Sequence, residues 1–250
     1  MPPEFSLPPG TVALVTGGSR GIGEAIAARL RESGAETLIC ARHPGGNEPN
    51  FLQCDVRNAS QVQAMMDEIV TRHGRLDILV NNAGGSPEAA ASSASPKFFE
   101  TIIALNLLAP LYVAQAANRV MQTQANGGNI INIASVSGTR PSPGTAAYGA
   151  AKAGLLNLTQ SLAMEWAPKV RVNAIIAGLI ATEGASDHYG GATGVARIGA
   201  MLPLGRMGEG RDIADAVLYL ASPAASYISG AQLAVHGGGE TPMFLSLAKP

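Results

Sequence analysis

Short apolar runs and amphipathic helical patterns alternate along the chain. The apolar runs, typical of buried strands, are TVALVTG, TLICAR, NFLQCDV, LDILVNNAG, GGNIINIAS, VRVNAIIAG and AQLAVHGG. Helical patterns lie between most of them: GIGEAIAARLRESGA, ASQVQAMMDEIVTRHG, a longer region from about Lys97 to Gln124, a helix around Tyr148 that Pro168 ends, and RDIADAVLYLAS. This alternation predicts a doubly wound α/β fold, with a parallel sheet of about seven strands and helices on both faces.

One connection departs from this pattern. Only HPGGNEPN separates Arg42 from Phe51, which is too short for a crossover helix, so we expect that helix to be missing between the second and third strands. No shift in composition marks a boundary, and we therefore predict one domain over residues 1–250. Residues 1–10 form an irregular lead-in, and the tail 237–250 is longer than the last strand requires.

Composition excludes several classes of function. The chain is 46% apolar and 14% charged, as expected of a globular protein, and its net charge of −1 with no Lys/Arg run argues against a nucleic-acid partner. We find no apolar stretch long enough to span a bilayer and no signal peptide, so we expect a cytoplasmic protein without a membrane partner. Cys40 and Cys54 end apolar runs, which favours buried free thiols over a disulfide or redox pair.

A glycine-rich loop, TGGSRGIG, joins the first strand to the first helix at Thr16–Gly23. Its glycines at 17, 21 and 23 fit neither G-x-G-x-x-G nor a P-loop. Glycines let backbone approach a pyrophosphate, and the helix beginning near Gly21 offers free N–H groups and the positive end of its dipole. We therefore predict a phosphate site; the alternative is a tight turn that needs glycine for its dihedral angles.

Two arginines bear on the choice of coenzyme. For NAD, an acidic residue is expected at the end of the second strand, but this strand ends with Ala41 followed by Arg42. Arg20 lies in the glycine loop itself. Guanidinium groups bind a 2′-phosphate through charge-assisted hydrogen bonds, so we predict NADP(H) in preference to NAD(H), with NAD(H) still possible. The alternative is that both arginines are solvated surface charges.

The stretch TAAYGAAKAG places two polar groups in apolar surroundings. Tyr148 and Lys152 lie one helical turn apart on the same face, and Ser135, at the end of the fifth strand, precedes the tyrosine by thirteen positions. Taken singly, these residues could equally be a core aromatic, a surface charge and a turn residue.

Together these motifs identify a resemblance. TGGSRGIG, NNAG at Asn81–Gly84, Asn106, Ser135 and YGAAK at Tyr148–Lys152, in this order over nearly the whole chain, resemble the short-chain dehydrogenase/reductases, with some similarity to NADPH-dependent 3-oxoacyl reductases. The resemblance implies a Rossmann fold, a nicotinamide coenzyme, interconversion of a ketone and a secondary alcohol, and a tetramer (or dimer) formed by the long helix and the Tyr148 helix.

The resemblance also assigns catalytic roles. Tyr148 is the general acid/base, Ser135 holds the substrate oxygen, and Asn106 supports a proton relay to Lys152. A free tyrosine has a pKa of about 10, and we expect the Lys152 ammonium to lower the pKa of Tyr148. By resemblance Lys152 also binds the nicotinamide ribose.

Further positions are carried over to the coenzyme site. These are Gly17, Ser19, Arg20, Gly21, Ile22, Gly23, Arg42, Asp55, Val56, Asn82, Ala83, Gly84, Tyr148, Lys152, Gly178, Ile180 and Thr182. Two positions depart from the family: Ala177 replaces a common proline, which should make the next loop more mobile, and His236 replaces a common aspartate. His236 has no cluster of ligands around it, and we predict no metal site.

The substrate is the least determined part. Residues 179–208 are rich in glycine, and we expect them to form a substrate-binding lid. His188 and Tyr189 are candidates to contact substrate together with Ser135 and Tyr148; solvated loop residues are the alternative reading of the first two. The leading function is an NADPH-dependent carbonyl or 3-oxoacyl reductase. The alternatives are an NAD(P)-dependent secondary-alcohol dehydrogenase, acting on a hydroxysteroid or hydroxyacyl substrate, and a non-catalytic dinucleotide-binding regulator.

Overall fold

A seven-stranded parallel sheet forms the centre of the protein. The computed structural model describes residues 5–43, 50–182 and 189–240. The strands of this sheet lie in the order β3-β2-β1-β4-β5-β6-β9. Their bounds are β1 Val12–Thr16, β2 Glu36–Ala41, β3 Phe51–Gln53, β4 Ile78–Asn81, β5 Gly128–Ser135, β6 Val170–Ala177 and β9 Gln232–Val235. The predicted doubly wound architecture is confirmed, including the number of strands.

Helices cover both faces of the sheet. They are α1 Gly21–Glu32, α2 Ala59–His73, α3 Pro96–Ile103, α4 Ala109–Thr123, α5 Ala146–Glu165, α6 Gly191–Met201 and α7 Gly210–Ala221. The predicted stop of α2 is confirmed, because Gly74 adopts φ 70°, the left-handed conformation typical of a residue that caps a helix. The connection from β2 to β3 spans only residues 42–50, of which 44–49 lie outside the described part.

Two apolar cores result, one on each face of the sheet. One packs α2 and α4 against the sheet and includes Cys40 and Cys54. The other packs α1 and α7 on the opposite face. Both cysteines are buried and free, which confirms the prediction of unpaired thiols.

The sequence patterns missed a short ribbon and a helix. Strands β7 Ile180–Ala181 and β8 Gly208–Glu209 pair in parallel apart from the main sheet, and α6 lies between them. Two-residue strands carry no periodicity, and the opening Gly-Ala-Thr-Gly of α6 hides its helical pattern. The predicted lid 179–208 therefore contains regular structure, while residues 183–188, including His188, lie outside the described residues.

One helical stretch reaches bilayer-spanning length, contrary to our expectation. Pro96–Thr123 is continuous over 28 residues, and its most apolar window has a mean hydropathy of 1.4 and is 33% buried. The stretch packs against α2 and α5 and buries the side chain of Asn106. Length and composition alone are weak evidence of a membrane span, since core helices share both.

Candidate active site

Lys152 lies at the centre of the candidate site. Its side chain is only 4% exposed, and its Nζ donates a 2.7 Å hydrogen bond to the carbonyl oxygen of Ile133 on β5. The same nitrogen is 5.6 Å from the centre of the Tyr148 ring, one turn earlier on α5. Burial lowers the pKa of Lys152 to about 8. The helix therefore places a desolvated ammonium beside the phenol, as the spacing predicts.

Ser135 approaches from the sheet. It is the last residue of β5, and its side chain hydrogen-bonds that of Tyr148. Its Oγ also accepts a 3.2 Å hydrogen bond from the backbone N–H of Ser137, which begins the short 3-10 turn after the strand. Strand β5 and helix α5 thus bring together the hydroxyl and the phenol that the sequence separates by thirteen positions.

The pKa of Tyr148 moves in the direction opposite to our expectation. Desolvation raises it above the ordinary value of 10, and Tyr189 adds to this effect, while the hydrogen bond with Ser135 acts against it. The Lys152 ammonium, which we expected to lower this pKa, donates its hydrogen bond to the Ile133 carbonyl instead. In this structure the Tyr148 phenol is therefore protonated at neutral pH.

Asn106 positions the loop that follows β4. Its Nδ2 donates to the carbonyl oxygens of Gly85, at 2.9 Å, and Ile102, at 3.0 Å, and its Oδ1 accepts from the N–H of Gly85 at 2.9 Å. The residue lies in a π-helical segment, Ala104–Leu108, between α3 and α4 and is fully buried. Such a segment is common at functional sites, and here its Asn106 amide holds the backbone of the loop at Gly85 through hydrogen bonds.

The glycine loop leaves the start of α1 open. The residue before the helix, Arg20, makes no side-chain cap, so the first N–H groups of α1 are available to an anion. A Cβ on Gly23 would lie 2.2 Å from the Gly17 carbonyl oxygen, which only glycine avoids. Thr16 joins this loop to the next one, because its Oγ1 accepts from the N–H groups of Asn82 and Ala83, each at 3.0 Å.

The charged edge of the site lies at the ends of β2 and β3. Arg20 and Arg42 are both exposed, as binding of a ligand phosphate requires. Asp55 is bound by Arg57, whose Nη2 lies 2.6 Å from its Oδ2. The hydrogen bond from Arg57 holds the pKa of Asp55 below its usual value, burial acts against this, and Arg42 contributes a weaker lowering. Val56 is buried beside them.

The segment after β6 closes against the glycine loop. Gly178 donates its N–H to the Val235 carbonyl at 3.0 Å, and a Cβ on it would come within 2.6 Å of the His236 backbone. The side chain of Thr182 lies beside Gly21, because a Cβ on that glycine would be 3.6 Å from the Thr182 methyl group. Ile180 is buried in the ribbon β7–β8. These contacts bring the carried-over residues of this segment to the same sheet edge as Gly21.

Tyr189 is the one candidate substrate contact outside the catalytic group that can be placed. It is half-buried, and burial together with the nearby Glu240 raises its pKa. Its influence on the pKa of Tyr148 puts the two phenols in the same neighbourhood. Glu240 in turn forms an ion pair with Arg140, in the loop between Ser135 and Tyr148.

The arrangement fits a nicotinamide dinucleotide. Uncapped N–H groups at α1 suit a pyrophosphate, exposed arginines suit a ribose phosphate, and glycines keep the path between them clear. Gly84 continues this path, since a Cβ there would meet Asn106 Oδ1 at 2.7 Å and Lys152 Nζ at 3.4 Å. Bound there, the coenzyme would supply a hydride donor or acceptor.

Sequence reasoning missed several contributors. Ile133 acts through a backbone carbonyl, for which sequence gives no signal. Gly18 is required by close packing, as its Cβ would lie 2.5 Å from Ile39. Arg57 stands two positions after Asp55, and that short spacing was the available signal for an ion pair. Among the described residues, no group of His, Cys, Asp and Glu could hold a metal ion.

Comparison with known proteins agrees with this geometry. A family model described as enoyl-(acyl carrier protein) reductase matches residues 17–240. The chain is 38% identical to a 3-oxoacyl-(acyl-carrier-protein) reductase of Vibrio cholerae, over 92% of this chain and 97% of that protein. The Escherichia coli protein of the same name is 37% identical, with the same coverage. The ligand-free structure of Thermoplasma acidophilum aldohexose dehydrogenase superposes with a TM-score of 0.87 at 33% identity, covering 96% of this chain and 95% of that one.

These matches extend over nearly the whole chain and include the glycine loop, the Tyr148 helix and the sheet that joins them. The chain therefore belongs to the short-chain dehydrogenase/reductase family, whose members are NAD(P)-dependent oxidoreductases.

Proposed function

We propose that this protein is an NADP(H)-dependent reductase that converts a ketone to a secondary alcohol, with Tyr148 as the general acid. The observation that carries the proposal is the contact group of Ser135, Tyr148 and Lys152 at the carboxyl end of β5. In open α/β sheets, ligands bind at this edge.

Two of these side chains, Ser135 and Tyr148, act directly on the substrate carbonyl. Ser135 and Tyr148 donate hydrogen bonds to the substrate oxygen, which orients the carbonyl and stabilises the negative charge that develops on it. Tyr148 then transfers its phenolic proton to that oxygen. Tyr148 carries this proton at neutral pH, because its pKa lies above the ordinary value of 10, and the reducing direction requires a protonated phenol.

Lys152 and Asn106 support this transfer. The Lys152 ammonium lies within 5.6 Å of the Tyr148 ring and stabilises the phenolate that remains after proton transfer. Asn106 fixes Gly85 and so holds the loop over which the coenzyme passes. Asn106 is thus a positioning residue, and the proposed relay reaches Lys152 through the space beside Gly84.

The preference for NADP(H) rests on charge at the ends of β1 and β2. Arg20 and Arg42 are exposed there, and the strand end that would carry an acidic residue for NAD carries Ala41. We propose that the remaining residues carried over from the family also contact the coenzyme.

The substrate assignment is tested by a two-direction screen. Ketones and 3-oxoacyl thioesters are assayed with NADPH, and secondary alcohols and aldohexoses with NADP⁺ or NAD⁺. Tyr148→Phe is compared with Tyr219→Phe, a matched control because Tyr219 is half-buried on α7 and packs on Phe5. We expect reduction by the wild type and by Tyr219→Phe, and a loss of about 100- to 10,000-fold in Tyr148→Phe with dinucleotide binding retained.

Two other outcomes would change the assignment. Turnover only in the oxidative direction would favour the second candidate, a secondary-alcohol dehydrogenase. The structural likeness to an aldohexose dehydrogenase is the reason for including alcohols and aldohexoses in the screen. Dinucleotide binding without turnover in any assay, unaffected by Tyr148→Phe, would support the non-catalytic regulator.

We propose a single cytoplasmic catalytic domain that assembles as a homotetramer, or a dimer, through α4 and α5. Buried reduced thiols suit a reducing compartment. Met164, on α5, is 84% exposed, and Leu108, just before α4, is 37% exposed, so each of these helical stretches carries an exposed apolar side chain that an assembly would cover. Light scattering of the wild type and Met164→Glu tests the assembly: we expect the wild-type mass to exceed one chain and the variant to dissociate.

A further inference from the structure

Asp55 and Arg57 form a two-point ion pair where β3 ends. Arg57 donates from Nε to Oδ1 at 2.9 Å, from Nη2 to Oδ2 at 2.6 Å, and from its backbone N–H to Oδ1 at 3.0 Å. Both carboxylate oxygens are therefore occupied, and the carboxylate is held in one orientation. The pair is partly solvated, with side chains 28% and 30% exposed, and it lines an open cavity of about 570 Å³.

Arg42 reaches the same edge from the neighbouring strand. Strands β2 and β3 are parallel, and Ala41 is in register with Gln53, so Arg42 and Asp55 follow adjacent strand ends. The charge of Arg42 acts on the Asp55 carboxylate in addition to the larger effect of Arg57. A carboxylate in this place is a natural ion-pair partner for Arg42, yet its oxygens are directed to Arg57.

We propose that Arg57 is a specificity-determining residue for the coenzyme, which neutralises Asp55 and thereby leaves Arg42 available to the 2′-phosphate of NADP(H). The inference rests on the proposed preference for NADP(H). Without Arg57, the Asp55 carboxylate would compete for Arg42 and would also repel the phosphate. Arg57 acts through its neighbours and needs no contact with the coenzyme, so it is a positioning residue.

The chain contains a matched control. Arg75 and Asp77 form a second two-point pair with the same separation of two residues, at 2.8 Å and 2.7 Å. This pair precedes β4 and so lies at the amino end of the sheet, opposite the proposed coenzyme edge. Arg75→Leu therefore removes the same charge and an equivalent ion pair at the end of the sheet away from the proposed coenzyme site.

The test compares dissociation constants for NADPH and NADH, measured by fluorescence titration on the full chain. The proteins are the wild type, Arg57→Leu, Arg75→Leu and the double variant Asp55→Asn/Arg57→Leu. We expect Arg57→Leu to reduce the preference for NADPH by about fivefold, the size expected of one charge acting through partly solvated space, and to lose this effect as salt rises. Arg75→Leu should leave the preference unchanged, and the double variant should restore it.

Each contrary result has its own meaning. If the wild type prefers NADPH and Arg57→Leu retains that preference, the role of Arg57 is wrong while the proposed coenzyme stands. If the preference falls but the double variant does not restore it, Arg57 binds the phosphate itself, and the indirect role is wrong. If the wild type shows no preference for NADPH, the proposed coenzyme is wrong and the role of Arg57 falls with it.

Discussion

The ammonium nitrogen of Lys152 is bonded to the carbonyl oxygen of Ile133, nineteen residues earlier in the chain, at 2.7 Å. The bond ties α5 to β5 just before Ser135, where the strand ends. The bond gives the buried ammonium a hydrogen-bond partner, and it sets the direction of the ammonium relative to Tyr148. The protonation state of Lys152 should therefore govern both catalysis and stability.

The rate of ketone reduction should fall as pH rises above about 8. Burial lowers the pKa of Lys152 to about 8, so its charge is lost in this range while Tyr148, with its raised pKa, stays protonated. The pH profile of kcat for NADPH-dependent reduction measures this fall. The Lys152→Arg variant keeps its charge throughout this pH range. If its residual activity fell above about pH 8 in the same way, another group would be responsible for the titration.

Lys152→Met should change the pH dependence of stability. The ordinary pKa of 10.5 falls to about 8 on folding, so the unfolded chain binds more protons between these values, and wild-type stability gains with rising pH in that window. Relative to Lys152→Met, the wild type should gain up to about 3 kcal/mol in free energy of unfolding from pH 8 to 10.5. Urea titrations at several pH values measure the difference. A flat difference would mean that the ammonium is not desolvated in the folded chain.

Asn106→Ala should impair catalysis beyond its effect on folding. The variant frees the N–H and carbonyl groups of Gly85, and we expect a loss of about 1–3 kcal/mol in unfolding free energy and at least about a tenfold loss in kcat. Asn129→Ala is the control. Asn129 lies at the start of β5, away from the site; it is also buried, and its side chain donates a hydrogen bond to the Leu220 carbonyl oxygen. Equal losses of kcat in the two variants would reduce Asn106 to a general structural role.

Gly23→Ala should weaken dinucleotide binding. The new Cβ would lie 2.2 Å from the Gly17 carbonyl oxygen, which belongs to a loop held by Asn82, so the loop must move away from its binding conformation. We expect at least about a tenfold rise in the dissociation constant for NADPH. Gly154→Ala, also helical, meets only the flexible Leu107 side chain at 3.2 Å and should bind normally. Normal binding by Gly23→Ala would place the pyrophosphate elsewhere.

Arg42→Ala should bind NADPH at least about fivefold more weakly and leave NADH unchanged, since a charge-assisted contact to the 2′-phosphate is lost. Calorimetric titration with both coenzymes measures this. Arg72→Ala is a suitable comparison because Arg72 is an exposed arginine on α2 that pairs with Glu68 on its own helix. An equal loss for both coenzymes would argue against recognition of the 2′-phosphate by Arg42.

Local sequence patterns were enough to predict the sheet, the principal helices and the meeting of Tyr148 with Lys152. These follow from short continuous apolar runs, from a helical period of 3.6 residues and from glycine at chain turns, all of which act within a few positions along the chain. Even the approach of Ser135 to this pair could be anticipated, because parallel strands end at one edge of the sheet.

The pairing of charges in the site, in contrast, depends on the tertiary fold. Lys152 is directed to a backbone carbonyl of β5, and Asp55 to Arg57 instead of Arg42. The raised pKa of Tyr148 follows from desolvation by the surrounding fold, which reversed the expectation drawn from its helical neighbour. Burial and hydrogen-bond direction depend on groups far apart in the chain, so local patterns could not supply them.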